Sequence, residues 1–442
     1  MTAQAARRRA DKRPAIWPAI RSAITSMDYQ LIAVVVTLLL IGLFMVFSAS
    51  FATQGTTFFT LQLKWVVVGL VVCAIVAVIP YDLWRVLAIP VMVVTVAALI
   101  AVLIWGERGE WGGVRTFTGA RFQPSELAKL GIAIYVSAWV AARGNRVASF
   151  KEGFFPFAVI IGLVAGLIVL EQSMSMTLIV LAIGLAIYFV GGGVLKQLLT
   201  LIAIGAPVLL FAMWQFGYPM NRIKGWYNVW FNPSQAPQDL LQITTLLREG
   251  GGIGVNPEIW QLKASVFGLW SDFLFANIGG DFKIFGMLAV MALYCWFGYR
   301  AVGVSLNAPT RFGALLGVGL ATWILVQAAI HIASSLSIIP ATGQPLPFMS
   351  YGGSSLVSCM VAVGLLLSIS RSAKEKKAPH AYFAFGGRDR WPRLSRPGGR
   401  RRTPGTGRPT AERSAPGHNK SVRRPNRRPV NDKNRQRSDP PR

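Results

Sequence analysis

The sequence is poor in charged residues, and acidic residues are especially scarce. Only 14% of the 442 residues are charged, with 18 acids against 45 bases, while 53% are hydrophobic. Soluble globular domains contain about 25% charged residues, so this composition excludes a soluble enzyme. Repeated apolar stretches of membrane length indicate a chain that crosses a membrane several times.

Cysteine and histidine are also rare. The three cysteines, Cys73, Cys295 and Cys359, all lie in apolar stretches, which excludes a disulfide framework and any recognisable metal-ligand spacing. Only one of the three histidines, His331, lies outside the C-terminal tail. No phosphate-binding loop, dinucleotide motif or serine nucleophile elbow is present. Carboxylates are therefore the candidate catalytic groups.

The net charge of +27 is concentrated at the two ends of the chain. Residues 1–29 contribute +4 and residues 373–442 contribute +16, whereas residues 30–372 contribute only +7. We predict two basic cytoplasmic tails, the second of them disordered because it is rich in Pro, Gly and Arg and poor in apolar residues. Basic tails beside a membrane helix favour binding to anionic lipids, and we expect no nucleic-acid partner.

Residues 30–372 are predicted to form an all-α polytopic membrane domain of about ten transmembrane helices. The positive-inside rule puts both termini in the cytoplasm, because the N-terminal tail is basic and the outer connections 51–60 and 338–348 contain no Lys or Arg. The predicted spans are 30–50, 61–80, 84–105, 124–142, 153–171, 173–191, 195–216, 281–300, 311–337 and 349–371.

One long extracytoplasmic loop, residues 217–280, separates the seventh and eighth spans. It contains an amphipathic stretch at 237–249 and many aromatic residues, so we expect it to lie along the outer membrane interface. Asp272 follows Trp270 and Ser271 near its end. Two readings remain open: an acid or base in catalysis, or a helix cap provided by Ser271 or Asp272.

Two further polar patches stand beside apolar spans, at 121–129 and 340–355. In the first, Lys129 follows Glu126 by three residues, which suits either a local ion pair or a cationic pocket for an anionic ligand. In the second, three prolines precede Gly352 and Gly353. The glycines permit close approach of a neighbouring helix or of a ligand.

Several motifs, in order along residues 28–372, resemble those of the SEDS family (shape, elongation, division and sporulation; FtsW/RodA-like proteins). Asp272-Phe273-Leu274-Phe275-Ala276 resembles the motif that holds the essential acid of that family. The other matching segments are Asp28 with Gly42 and Ser48-Ala49-Ser50, Phe122 to Lys129, Arg222, Asn232-Pro233, Gln242, Gly250-Gly251-Gly252, and Thr342 to Ser355.

The resemblance implies a peptidoglycan glycosyltransferase of the bacterial cytoplasmic membrane that polymerises lipid II, the undecaprenyl-diphosphate-linked disaccharide peptide. It also implies a class B penicillin-binding protein and other divisome or elongasome proteins as partners. Asp272 is then the candidate general base, and a divalent cation, Mg²⁺ or Mn²⁺, is a candidate cofactor for which no motif stands in the sequence. The candidate substrate-binding residues are Arg115, Gln123, Glu126, Lys129, Arg222, Lys263, Ser350, Gly352, Gly353 and Ser354.

The sequence departs from the family pattern close to this acid. Residues 266–271 replace the usual Leu-Pro-Glu-Ala-His-Thr, and His331 stands where the family usually has asparagine. Two alternatives therefore remain open, a flippase or transporter of lipid-linked precursors and a weakly active or non-catalytic divisome scaffold. A role in division is not distinguished from one in elongation.

Overall fold

The computed structural model describes residues 27–108, 114–117, 123–216, 218–249 and 257–375. The predicted tails lie almost entirely outside these residues, as does the cluster of three glycines at 250–252. Helices dominate the described part of the chain. They are α1 (Tyr29–Gln54), α2 (Thr57–Val78), α3 (Asp82–Val86), α4 (Ala88–Trp105), α5 (Pro124–Arg143), α6 (Phe155–Leu170), α7 (Met174–Val190), α8 (Leu195–Phe216), α9 (Tyr218–Phe231), α10 (Gln238–Glu249), α11 (Pro257–Ser265), α12 (Leu274–Leu306), α13 (Arg311–Ser335) and α14 (Gly353–Glu375).

The ten predicted spans all coincide with apolar helices. Among the described residues, nine helices are long and apolar enough to cross a membrane: α1, α2, α4, α5, α6, α8, α12, α13 and α14. The tenth, α7, has 17 residues, a length of about 26 Å at 1.5 Å per residue. A span needs about 17–25 residues, and the predicted all-α polytopic fold is confirmed.

Three helices form the centre of the bundle. In α5, α13 and α14, between 67% and 78% of the membrane-length segment is buried, whereas in α8 the fraction is 6%. Glycines allow close approach around α14 and the loop before it. A Cβ on Gly42 of α1 would lie 2.5 Å from Met349 Cα, and one on Gly353 would lie 2.3 Å from the Trp65 ring. Gly353 thus serves the close packing of α14 on α2.

The structure differs from the sequence prediction at two connections. Residues between α4 and α5, predicted only as a connection, include a two-stranded antiparallel hairpin of β1 (Gly106–Arg108) and β2 (Val114–Phe117). Helix α12 begins at Leu274, seven residues before the predicted span, and its backbone breaks at Lys283, where φ is 52°. Glycine-rich residues 274–280 look like a loop in sequence but are buried as helix.

The long outer loop therefore ends at residue 273 and is itself largely helical. It contains α9, a 3₁₀ turn at Pro233–Gln235, α10 and α11. The amphipathic stretch predicted at 237–249 is confirmed as α10, which buries Ile243 and Leu246. Because α12 begins directly after this loop, Asp272 lies at the junction of loop and membrane helix.

Candidate functional site

Asp272 lies in a tight turn immediately before α12. Its backbone N–H donates to the Gly268 carbonyl at 2.8 Å, and Gly268 has a positive φ of 73° that permits this turn. The N-cap residue of α12 is Phe273, whose own side chain makes no capping hydrogen bond. The N-cap position that the sequence offered to Ser271 or Asp272 is thus occupied by Phe273.

The Asp272 carboxylate and the Arg222 guanidinium both lie close to Gly343. A Cβ on Gly343 would lie 3.6 Å from Asp272 Oδ2 and 3.5 and 3.6 Å from the two terminal nitrogens of Arg222. Gly343 has a φ of 64°, a conformation that favours glycine. Arg222 also donates to the Ala341 carbonyl at 2.8 Å. Three separate segments, α9, the turn before α12 and the loop before α14, thus come together near Gly343.

Ser350 fastens the loop before α14 to the turn that carries Asp272. Its hydroxyl donates to the Ser271 carbonyl at 2.6 Å and accepts from the Leu346 N–H at 2.9 Å. Its carbonyl accepts from Gln62 of α2 at 3.1 Å. These bonds are buried or half-buried. The predicted substrate-binding residue Ser350 therefore has a structural role beside Asp272.

His331 connects the start of α12 to the same loop. Its Nε2 accepts from the Phe275 N–H at 3.3 Å, and its Nδ1 lies 2.7 Å from the Gln344 carbonyl. An accepting Nε2 requires a neutral imidazole with the proton on Nδ1. This bridge holds the first turn of α12 against the loop that contains Gly343.

The predicted pair of Glu126 and Lys129 is present and wholly buried in α5. Their side chains are 1% and 0% exposed, and the charged atoms are 2.8 Å apart. Lys129 also donates to Gln327 Oε1 at 2.7 Å, and Gln327 donates to the Pro345 carbonyl at 2.9 Å. The pair therefore belongs to a polar network that joins α5 and α13 to the loop before α14.

Lys263, a predicted diphosphate contact, forms an ion pair with Asp281 and donates to Ser48 at 2.9 Å. Its side chain is 3% exposed. Burial lowers the pKa of Lys263, and Asp281 offsets part of that effect. Lys263 of α11 thus connects this helix to α12 and α1.

The remaining predicted site residues lie at several places around the loop. Gln123 is the residue before α5, and Arg115 lies in β2, where its side chain is outside the described part. Gly352 and Ser354 are half-buried at the start of α14. The arrangement brings together Asp272, Arg222 and the loop before α14, while the other predicted residues support or surround them.

This geometry suits a reaction in which a proton is removed beside a developing negative charge. A carboxylate is a suitable proton acceptor, and a guanidinium binds phosphate oxygens in a bidentate fork. Within the described residues, no group of three or more His, Cys, Asp or Glu side chains could hold a metal ion. The predicted divalent cation therefore has no protein-only cage in that part of the chain.

Comparison with known proteins identifies the fold and the family. Residues 29–375 match the family model FtsW/RodA/SpoVE, described as cell cycle protein. This chain belongs to that family.

Curated members of the FtsW/RodA/SpoVE family match over most of their lengths. A probable peptidoglycan glycosyltransferase FtsW from Thioalkalivibrio sulfidiphilus is 30% identical over 82% of this chain and 94% of its own. The FtsW protein of the same description from Geobacter sp. strain M18 is 26% identical over 78% of this chain and 97% of its own length. Stage V sporulation protein E of Bacillus subtilis is 28% identical over 79% of this chain and 98% of its own length.

Solved structures share the fold. A chain of a peptidoglycan synthase complex, studied for coordination of polymerization and crosslinking, superposes with a TM-score of 0.67 at 23% identity, over 78% of this chain and 98% of that one. Rod shape determining protein RodA of Thermus thermophilus superposes with a TM-score of 0.57 at 21% identity, and the match covers 78% of this chain and 97% of RodA. With its apolar helices, this FtsW/RodA/SpoVE member is a multi-pass protein of the bacterial cytoplasmic membrane.

Two features of this family member escaped the sequence analysis. Arg222, Asp272 and Gly343 are far apart in sequence, and no local pattern indicates that the structure brings both side chains close to this glycine. The bridging role of His331 was also missed. The only signal was a single histidine within an apolar span, where polar side chains usually bond to neighbouring helices.

Proposed function

We propose that this chain is a peptidoglycan glycosyltransferase that polymerises lipid II, with Asp272 as the general base. The main structural support is that the Asp272 carboxylate and the Arg222 guanidinium both lie close to Gly343. The FtsW relatives described as glycosyltransferases, and the motifs shared with them over residues 28–372, support the choice of substrate.

The proposed step is a glycosyl transfer between two lipid-linked sugars. A hydroxyl of one sugar attacks the anomeric carbon of the other, and its proton passes to Asp272. The new C–O bond forms as the bond from the anomeric carbon to the diphosphate breaks. The electron pair leaves with the polyprenyl diphosphate, whose charge Arg222 stabilises.

A divalent cation would neutralise charge on the diphosphate. Mg²⁺ is commonly held by one or two carboxylates together with substrate phosphates, so it could enter with the substrate. In the proposed step, Asp272 takes the proton and Arg222 stabilises the charge of the diphosphate.

We further propose a class B penicillin-binding protein as the partner, with other division or elongation proteins around it. A structural neighbour belongs to a peptidoglycan synthase complex, which supports this assignment. The basic segments 1–29 and 373–442 are proposed to bind anionic lipids, given their net charges of +4 and +16.

Replacement of Asp272 tests the proposed base. Asp272→Asn keeps the shape of the side chain and removes the proton acceptor, so we expect polymerisation of lipid II to fall at least about 100-fold. The measurement is glycan-strand formation by purified protein.

Asp239→Asn is the matched control, since it makes the same chemical change in α10 of the same outer loop, and it should retain full activity. Undiminished polymerisation by Asp272→Asn would remove Asp272 from the mechanism. Movement of labelled lipid II across vesicles without polymerisation by the wild type would instead support the flippase.

A further inference from the structure

The helix that carries Arg222 has only a slight connection to the buried bundle through helix packing. Helix α9 packs mainly on α8, on the 3₁₀ turn that follows it and on α10. Helix α8 is itself peripheral, with 6% of its membrane-length segment buried. A guanidinium that must stay beside Asp272 therefore needs another attachment.

That attachment is a row of three side chains on one face of α9. Arg222, Trp226 and Trp230 are spaced four residues apart, so they lie on the same side of the helix. The indole N–H groups of Trp226 and Trp230 both donate to the carbonyl of Ser337, at 2.7 and 3.1 Å. Arg222 donates to the carbonyl of Ala341, four residues further along the same segment.

Ser337 is a rigid anchor for the two indoles. It follows the C-cap of α13 with a φ of 54°, and its N–H donates to Ser334 at 3.0 Å. The next N–H, of Ile338, donates to Ala333 at 2.9 Å, which completes a Schellman motif. The direction of the Ser337 carbonyl is therefore determined by the end of α13, one of the most buried helices.

We propose that Trp226 and Trp230 are positioning residues for glycosyl transfer, which act by holding α9 so that Arg222 stays beside Asp272. The pair, called the indole clamp, ties α9 to the Ser337 carbonyl at the end of α13. It thereby restrains the position of the Arg222 guanidinium. This inference rests on the proposed function, because it assigns the clamp to the same reaction.

The test is a mutant cycle between the clamp and Arg222. Trp226→Phe and Trp230→Phe remove each N–H donor and keep an aromatic ring. We expect a loss in kcat of about 3-fold for either single variant and at least about 10-fold for the double variant, with KM for lipid II unchanged. Trp214→Phe, an exposed tryptophan on α8, is the control and should leave kcat at the wild-type value.

The decisive arm places the double variant in the Arg222→Lys background. Lysine lacks the planar fork that the clamp orients, so the two Trp→Phe changes should then cost less than 2-fold. An equal loss in both backgrounds, or a parallel fall in thermal stability that accounts for it, would reduce the clamp to general structural support.

The outcomes also separate this inference from the proposed function. If Asp272→Asn and Arg222→Lys are impaired while the double clamp variant has wild-type kcat, the clamp is overturned and the mechanism stands. If Asp272→Asn is fully active, the mechanism itself fails.

Discussion

Gly343 is the residue at which the two proposed catalytic groups meet, and its lack of a side chain has two separate reasons. Its φ of 64° is strained for any residue with a Cβ. A Cβ there would also face Arg222 and Asp272 at about van der Waals distance, 3.5–3.6 Å. In the proposed reaction, a methyl group would then fill space between Gly343 and the two groups that act on the sugar hydroxyl and the diphosphate.

Gly343→Ala should therefore reduce activity more than stability. The backbone strain costs roughly 1–2 kcal/mol, whereas we expect the rate of lipid II polymerisation to fall at least about 30-fold because the methyl group blocks the reacting atoms. The two quantities are measured by thermal unfolding and by glycan-strand formation on the same preparation.

Gly55→Ala separates the two effects. Gly55 has a similar φ of 57°, but a Cβ there would have nothing within 4 Å. This control should show a comparable loss of stability and unchanged polymerisation. If both variants lose activity equally, crowding at Gly343 is not the cause.

Which site residues the sequence could indicate depends on how local their signal is. Asp272 stands out because it interrupts an aromatic segment, and Glu126 with Lys129 because charges are costly within a span. Gly343 gives no such signal, because a glycine among prolines fits many loops. Its positive φ and its contact with Arg222 follow from tertiary packing alone.

At the scale of elements, the ion pair of Lys263 and Asp281 joins α11 to α12, and Ser48 connects both to α1. Asp281→Asn should destabilise the protein by about 3 kcal/mol, because it leaves a buried ammonium group without its counter-ion. The double variant Lys263→Met with Asp281→Leu removes both charges and should recover most of that loss. Thermal unfolding of the purified protein measures both.

The same lysine makes stability depend on pH in a definite direction. Its pKa in the folded protein is lowered by burial, so unfolded chains bind its proton more readily. The free energy of unfolding therefore rises with pH from the lowered pKa of folded Lys263 up to the ordinary lysine pKa of about 10.4. As pH falls back through the lowered pKa, this gain in stability is lost. The Lys263→Met variant should lack this rise, and an identical pH profile in both proteins would contradict the assignment.

The sequence predicted the helices well, but it misplaced the start of α12 and missed a short hairpin. Apolar runs of about 20 residues signal a span directly, which is why all ten predicted spans coincide with helices. The start of α12 was wrong by seven residues, because Gly279 and Gly280 resemble a loop although packing buries them as helix. The hairpin of β1 and β2 was missed because strands of three and four residues carry too little periodicity.

At the scale of the whole molecule, the charge distribution and the fold serve different purposes. Most of the +27 belongs to the two end segments, which contribute +20. Within the described bundle, Lys129 pairs with Glu126 and Arg300 pairs with Asp28. The bundle thus surrounds one outer site with buried polar networks and presents apolar side chains to lipid.

In the proposed mechanism, Asp272 of this chain takes the proton, and a class B penicillin-binding protein only accelerates the reaction. The most direct measurement is lipid II polymerisation by wild type and Asp272→Asn, each with and without a class B penicillin-binding protein whose crosslinking site is blocked. We predict that the partner accelerates the wild type and leaves Asp272→Asn at least about 100-fold slower. Polymerisation by Asp272→Asn at the wild-type rate in the presence of the partner would show that Asp272 is not the general base.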